Sequence, residues 1–197
     1  YRLSRHLDDI DAVIDELVGP EGQVHLVGHD WGAVLGWFFA GDRIRARRLR
    51  SFTAIAGPHP MAMRTMLRDR LLRHRLADLA LLADQLRRSW YIFFFQIPGL
   101  PERYLSRDPV FRSPVGMWIK IHRAGGLRRD DPELQTIYER LARSTLIPPL
   151  ALYRQALRGL TEPPRTIEVP VCLIVPLRDM ALTPELYDQV PEFVPDL

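Results

Sequence analysis

The 197 residues are 47% hydrophobic and 26% charged, with a net charge of +3 and one cysteine, Cys172. This is the balance of a soluble globular protein, long enough for one domain or a core carrying an insertion, and it excludes an internal disulfide framework. No stretch reads as a signal peptide or a membrane span, because the apolar runs are short or carry charges, so a cytoplasmic protein with no membrane partner is expected.

The first predicted element is a helix. Leu7, Ile10, Val13, Ile14, Leu17 and Val18 recur at helical spacing, and Gly19-Pro20 stops them. A short apolar run, Val24-His25-Leu26-Val27, then leads into Gly28-His29-Asp30-Trp31-Gly32, followed by the apolar segment Ala33 to Ala40. This is the pattern of strand, sharp turn and helix with a reactive side chain at the apex, a nucleophile elbow bearing aspartate where a hydrolase usually keeps serine. Crowding around the turn accounts for small residues at positions 28 and 32. The helix N-terminus behind the apex offers free N–H groups and positive potential, which should keep Asp30 ionised. An ordinary helix cap is the competing reading of Asp30, but a cap needs neither the flanking glycines nor the preceding strand.

An aspartate nucleophile narrows the chemistry. A carboxylate attacks amides poorly, but it can displace at saturated carbon and form an alkyl ester that water then cleaves. Strained epoxides and carbon–halogen bonds are suitable electrophiles.

Nearly all positive charge is arginine, since Lys120 is the one lysine. Arginines bunch at Arg43 to Arg50 and at Arg64 to Arg75. The second run alternates with Met66, Leu67, Leu71, Leu72 and Leu76 at helical spacing, which favours a solvated helix face over a nucleic-acid site. Phe52 to Ala56 is a second short strand, closed by the loop Gly57-Pro58-His59-Pro60. Val169 to Val175 is a third, followed by Pro176-Leu177-Arg178-Asp179; Cys172 within it reads as buried. Alternating helices and strands imply a parallel sheet with right-handed crossovers.

Residues 57–168 show no clear strand. Met61 to Leu86 has helical periodicity, Asp131-Pro132-Glu133 opens a helix toward Leu141, and Pro148-Pro149 opens another to Leu157. Gly159 and Pro163-Pro164 return the chain to the sheet. The expected organisation is a core of residues 1–61 and 165–197 with a helical cap of residues 62–164 over the sheet's C-terminal edge, where open α/β sheets bind ligands. The cap holds the most aromatic stretch, Ser89 to Gly99, and Tyr153 in its last helix. Taken alone, each of these rings is more often a packing residue than a catalyst.

Together these pieces resemble the epoxide hydrolases of the α/β-hydrolase fold. Gly28-His29-Asp30-Trp31-Gly32 is similar to their nucleophile motif, Trp90-Tyr91-x-Phe93-Phe94-Phe95-Gln96-x-Pro98-Gly99 to their first lid motif, and Tyr153-Arg154 to their second. Leu177-Arg178-Asp179 resembles the segment carrying the acid of the triad. Aspartate at the elbow is shared with haloalkane and fluoroacetate dehalogenases; the tyrosine pair favours epoxides. The resemblance implies that Asp30 attacks an epoxide carbon and that Tyr91 and Tyr153 protonate the leaving oxygen. It further implies that the Trp31 backbone N–H serves the oxyanion hole, that Phe94 lines the substrate site, and that Asp179 orients a histidine that activates water. By the same resemblance the expected product is a vicinal diol, the expected partner a small apolar epoxide, and no metal or cofactor is expected. A tyrosine suits the proton transfer, being protonated at neutral pH yet acidic enough to quench an alkoxide.

The sequence departs from that pattern in two places. All six histidines (His6, His25, His29, His59, His74 and His122) precede Asp179, whereas the resemblance places the catalytic one beyond it. The family's early strands, with a His-Gly-x-Pro loop, are also missing before Tyr1. The chain therefore reads as an internal piece of a longer polypeptide, poorly stable alone and at most able to form the alkyl ester. Two other readings stand beside the epoxide hydrolase: a dehalogenase with the same nucleophile, and a non-catalytic hydrolase-fold binding module.

Overall fold

The apolar run that ends at the elbow forms β1 (Val24–His29), and the two later runs form β2 (Leu49–Ile55) and β3 (Val171–Ile174). These descriptions come from a computed structural model, which describes residues 2–107, 150–155 and 166–197. The strands are parallel, in spatial order β1-β2-β3. Leu49 pairs with Val24, which starts β2 three residues before Phe52. His29 lies beside Ile55, and Ile55 beside Ile174, so the C-terminal ends of all three strands are level. In β3 the side chains alternate, with Val171 buried and Cys172 exposed. The expectation of a buried cysteine is thereby corrected: period-two alternation sends it to the face opposite Val171.

The helices are α1 (Leu3–Val18), α2 (Trp31–Gly41), α3 (Pro60–Arg73), α4 (Leu76–Arg88), α5 (Trp90–Phe94) and α6 (Leu100–Arg107); residues 150–155 are also helical. Short 3-10 turns occupy Arg45–Arg48, Pro184–Tyr187 and Val190–Glu192. The apolar stretch from 61 to 86 is two helices rather than one, because His74 takes a left-handed conformation with φ 51° that ends α3. The expected helix from Asp131 to Leu141, the residues Pro148 and Pro149, Lys120, and the return through Gly159 and Pro163-Pro164 lie outside the described residues.

The core forms where α2 crosses β1 and β2. α2 is apolar on every side, which is what burial on several sides requires, and Trp37 and Phe39 are fully buried. The Trp37 ring meets Phe52 of β2 edge to face at 4.9 Å. Burying a side chain of this size contributes about 2–3 kcal/mol.

α1 packs beside α2 through Leu7 and Ile14. Val13 and Leu17, expected in the same buried stripe, are 58% and 71% exposed. They border an apolar groove of about 530 Å³ that Val24 and Leu26 of β1 also line. Among the described residues no strand pairs with β1 on this side. Part of the first arginine run ties α1 down. Arg45 contacts Asp8, Asp11 and Asp42, while Arg48 reaches Asp15 and the carbonyls of Gly19 and Gly22.

By compactness the chain divides into one unit of Tyr1–Trp90 and Arg158–Leu197 and a second of Tyr91–Leu157. The division falls at other residues than the expected 62 and 164. α3 stays with the first unit because Ala62 and Met66 join its core. Arg70 also bonds Asp78 of α4 at 2.9 Å and Asp188 at 3.1 Å.

Candidate active site

The elbow is a constrained turn at the C-terminal edge of the sheet. Asp30 has φ 53° and ψ −118°, a conformation that L-residues seldom adopt. Three bonds hold it there. Its N–H donates to Ile55 O at 3.0 Å, continuing the ladder, and its own carbonyl accepts from Ala33 N and Val34 N at 3.0 and 3.1 Å, starting α2. Gly28 is required: a Cβ there would lie 2.4 Å from Gly32 O. Gly32 is not crowded, since a Cβ there meets nothing within 4 Å, which corrects the steric account of the second glycine. The Asp30 side chain makes no capping bond to α2, although the residue sits at the N-cap position.

Asp30 stands exposed at the apex as a residue, yet enough protein surrounds its carboxyl to change its acidity. Desolvation raises its pKa above the ordinary carboxylate value; the Trp31 backbone N–H and His29 pull it down, and the charge of Asp179 pushes it up. The net direction is upward. Removal of water outweighs a single N–H dipole here.

The loop after β2 buttresses the elbow from behind. A Cβ on Gly57 would lie 2.8 Å from Asp30 O, so the two turns touch backbone to backbone. Trp37 Nε1 donates to Gly57 O at 2.9 Å. His59 is fully buried, stacks on Phe193 at 5.2 Å, and meets Trp37 edge-on at 5.0 Å. Its Nδ1 accepts the Ala62 N–H at the start of α3, and burial lowers its pKa to about 4, so it is neutral.

Asp179 follows β3 on the same edge. Its Oδ1 accepts the N–H groups of Ala181 at 2.7 Å and Leu182 at 3.0 Å. The turn-forming role considered for this residue is therefore present, on one of its two oxygens. Tyr187, which sequence reasoning missed, lies eight residues on. It is buried, and its hydroxyl has no hydrogen-bond partner among the described residues. Burial and the nearby charges of Asp179 and Asp30 push its pKa above the ordinary tyrosine value, so it stays a protonated phenol. The available signal was slight: it is the one tyrosine that follows Asp179.

In the second unit, Tyr91 and Tyr153 come together. Their rings meet edge to face with centroids 5.9 Å apart, and both pack on Phe95, at 5.7 and 5.0 Å. Phe94 joins the same cluster. Arg154 locks the two segments: Nε donates to Phe95 O at 2.8 Å, Nη2 to Ile97 O at 3.2 Å, and Nη1 to Glu102 at 2.6 Å. Gln96 Nε2 adds a bond to Tyr153 O at 3.3 Å. A motif that reads as two distant tyrosines is thus a single aromatic cluster. Among the described residues no group of three or more His, Cys, Asp or Glu is arranged to hold a metal ion, and no helix is long and apolar enough to cross a membrane.

A parallel sheet with an acid on a strained strand-to-helix turn, and a second acid after a later strand on the same edge, defines a hydrolase-type α/β architecture. The chain belongs to the alpha/beta hydrolase family, whose model matches residues 1–195. The Mycobacterium tuberculosis protein named "Probable oxidoreductase EphD" is 30% identical over 211 residues, covering 100% of this chain and 33% of that protein. Epoxide hydrolase 3 of Mus musculus is 29% identical over 198 residues, covering 99% of this chain and 49% of that protein. Among solved structures, a Bacillus megaterium epoxide hydrolase in complex with an inhibitor superposes with a TM-score of 0.74 and 26% identity, covering 100% of this chain and 66% of that one. A further structure of that enzyme holds its product, (R)-3-[1]naphthyloxy-propane-1,2-diol. The chain thus spans about a third to a half of these curated relatives' length.

Proposed function

We propose that this chain carries the nucleophile, the proton donors and the triad acid of an epoxide hydrolase. The observation that carries the reading is Asp30: a carboxylate on a strained positive-φ turn whose side chain is not spent on capping its helix. Strain retained at one residue without a structural use is characteristic of reacting groups.

The reaction runs in two steps. An Asp30 carboxylate oxygen attacks one ring carbon from behind, the carbon–oxygen bond breaks, and its electron pair stays on the leaving oxygen. Tyr91 and Tyr153 donate hydrogen bonds to that oxygen, and one of them gives it a proton. Water then attacks the carbonyl carbon of the ester while the Trp31 N–H holds the developing oxyanion. The ester C–O bond breaks, Asp30 is regenerated as a carboxylate, the vicinal diol leaves, and a proton returns to the phenolate. Asp179 serves this second step by orienting a histidine that takes a proton from water and passes it to the departing alkoxide of the diol; no histidine follows Asp179 within these 197 residues. Phe94 belongs to the aromatic lining that accepts an apolar substituent. The raised pKa of Asp30 suits a nucleophile, because a more basic carboxylate attacks more strongly once ionised.

Several facts support this reading: the level strand ends that put both acids on one edge, the tyrosine pair within one cluster, and the recurrence of epoxide hydrolases among relatives and solved structures. The oxidoreductase name belongs to a relative two thirds of whose length lies outside the match. The test is a single turnover with styrene oxide followed by mass spectrometry of the peptide that contains Asp30. A covalent adduct of the epoxide's mass on Asp30 is expected. Chloride release from a haloalkane with no adduct from the epoxide moves the assignment to a dehalogenase, and no adduct from either substrate leaves a binding module.

A further inference from the structure

The loop that carries Asp179 is held from a distance. Gln85 of α4 is buried and spends both of its amide protons and its carbonyl there. Its Nε2 donates to Ala181 O at 2.8 Å and to Ser89 Oγ at 2.7 Å, and its Oε1 accepts the Thr183 N–H at 2.9 Å. Ser89 Oγ in turn donates to Ala181 O at 3.2 Å. Arg88 Nη1 donates to Asp179 O at 2.6 Å while Asp84 anchors its Nε at 2.7 Å. Gln85 and Arg88 in α4's last turn and Ser89 at its C-cap thus grip the loop at residues 179, 181 and 183. Within the loop, Asp179 Oδ1 is occupied by two backbone N–H groups. The direction in which Oδ2 faces is therefore set by the loop's backbone.

We propose that Gln85, together with Ser89 and Arg88, is a positioning set that aims Oδ2 of Asp179 for the ester-hydrolysis step. An apolar residue at position 85 would fill the same volume without desolvating an amide, and a buried amide is costly unless fully bonded. Gln85 is fully bonded, and it finds its partners in the acid loop and the serine that shares it. The inference rests on the epoxide hydrolase reading and deepens it. Asp179 acts only after the alkyl ester has formed, so the clamp acts on the second chemical step and leaves the first alone. A merely stabilising contact would have no such selectivity.

The experiment uses the protein expressed from its natural reading frame, with Gln85→Met and Ser89→Ala variants. Rapid-quench single turnovers with styrene oxide, read by mass spectrometry, give the rates of alkylation and of ester hydrolysis separately. Gln85→Met is expected to leave alkylation within about twofold and to slow hydrolysis roughly 10- to 100-fold, the cost of a reacting group displaced by a fraction of an ångström to an ångström. The alkyl-enzyme then accumulates, and amide exchange at 181 and 183 quickens. Ser89→Ala is expected to shift the same ratio by a smaller factor, and it carries the test should Gln85→Met not fold. Equal slowing of both steps, or no change in either, overturns the clamp. A wild-type protein that forms no alkyl-enzyme overturns the hydrolase reading, and the role given to the clamp falls with it.

Discussion

Asp30 and Asp179 stand on the same sheet edge but are built in opposite ways. Asp30 is placed mainly through backbone: the strand before it, the helix after it and Gly28 shape the turn, and the loop at Gly57 backs it. Its distant backbone bond, to Ile55, continues the strand ladder that carries the turn. Asp179 is placed by side chains more than ninety positions earlier in the chain, on α4. A local device is rigid as soon as its strand and helix form. A device built from distant side chains is only as good as the packing of the helix that carries them. The two halves of the proposed reaction, attack and hydrolysis, therefore depend on different parts of the fold.

The largest expected effect falls on the local device. Asp30→Asn is expected to abolish alkylation, a loss of a thousandfold or more, because the amide is not a nucleophile. Stability should move the other way. A carboxyl whose folded-state pKa is raised favours the fold only below its unfolded value and loses that contribution as pH rises through the folded one. At pH 7 the charge of Asp30 works against folding, so Asp30→Asn should unfold at higher urea than wild type. That advantage should shrink to nothing as the pH falls toward the unperturbed value of 3.8. Urea titrations at pH 7, 5 and 4 measure it. In wild type the same raised pKa should appear as an alkylation rate that falls with acidification before an ordinary carboxylate would protonate.

Gly28→Ala attacks the elbow through its geometry rather than its chemistry. The new methyl would press on backbone atoms of Gly32 and Ala33 that have no rotamer to escape into. A loss of about 1–3 kcal/mol of stability is expected, as for overpacking elsewhere, with alkylation slowed because the apex moves. Gly32→Ala, where nothing lies within 4 Å of the added carbon, should change stability far less. If the two variants behave alike in denaturant titrations, the turn is not held as described.

The same contrast explains what was legible in the sequence. The elbow turn and the three parallel strands were legible because strand period and turn glycines act over a few residues, whereas the tyrosine pair, far apart in the chain, was named only through the family resemblance. The family match and the superposed neighbours agree with that α/β-hydrolase reading. The clamp on Asp179 was not legible: Gln85 and Arg88 read as ordinary polar positions of a surface helix, and only the fold shows that they face the acid loop. The phenol of Tyr187 was missed for the same reason. Cys172 was misplaced because a short apolar run does not say which of its alternating faces is covered. The sign of the Asp30 shift was not legible, because desolvation depends on how the surrounding chain encloses the carboxyl, which a motif does not state.

His59 supports the loop behind the elbow while stacking on Phe193, and it brings its own dependence on pH. Its folded pKa of about 4 lies below the ordinary value of 6.5, because burial disfavours its charge. Between those values the unfolded chain binds a proton that the folded one does not, so stability should fall as pH drops from 6.5 to about 4 and level off below. The loss is on the order of 3 kcal/mol. Protonation of Nδ1 would also forfeit the cap it offers Ala62. His59→Gln should remove this acid limb from the stability profile, even if it lowers stability at pH 7. An unchanged limb would place its origin elsewhere.

The smallest effect separates two neighbouring arginines that a sequence does not distinguish. Arg87 and Arg88 both pair with Asp84, at 2.6 and 2.7 Å. Arg87 reaches outward and does nothing else among its described contacts, and exposed pairs of this kind contribute little. Arg88 also donates to the carbonyl of Asp179. A charge-assisted bond to a partly buried carbonyl is worth about 1–2 kcal/mol. Arg87→Met should therefore be nearly silent, whereas Arg88→Met should lower stability by about 1 kcal/mol and slow ester hydrolysis more than alkylation. The paired comparison cancels the common loss of a charge next to Asp84, so what remains is the grip on the acid loop. Equal behaviour of the two variants in both assays would mean that this loop holds its shape without α4.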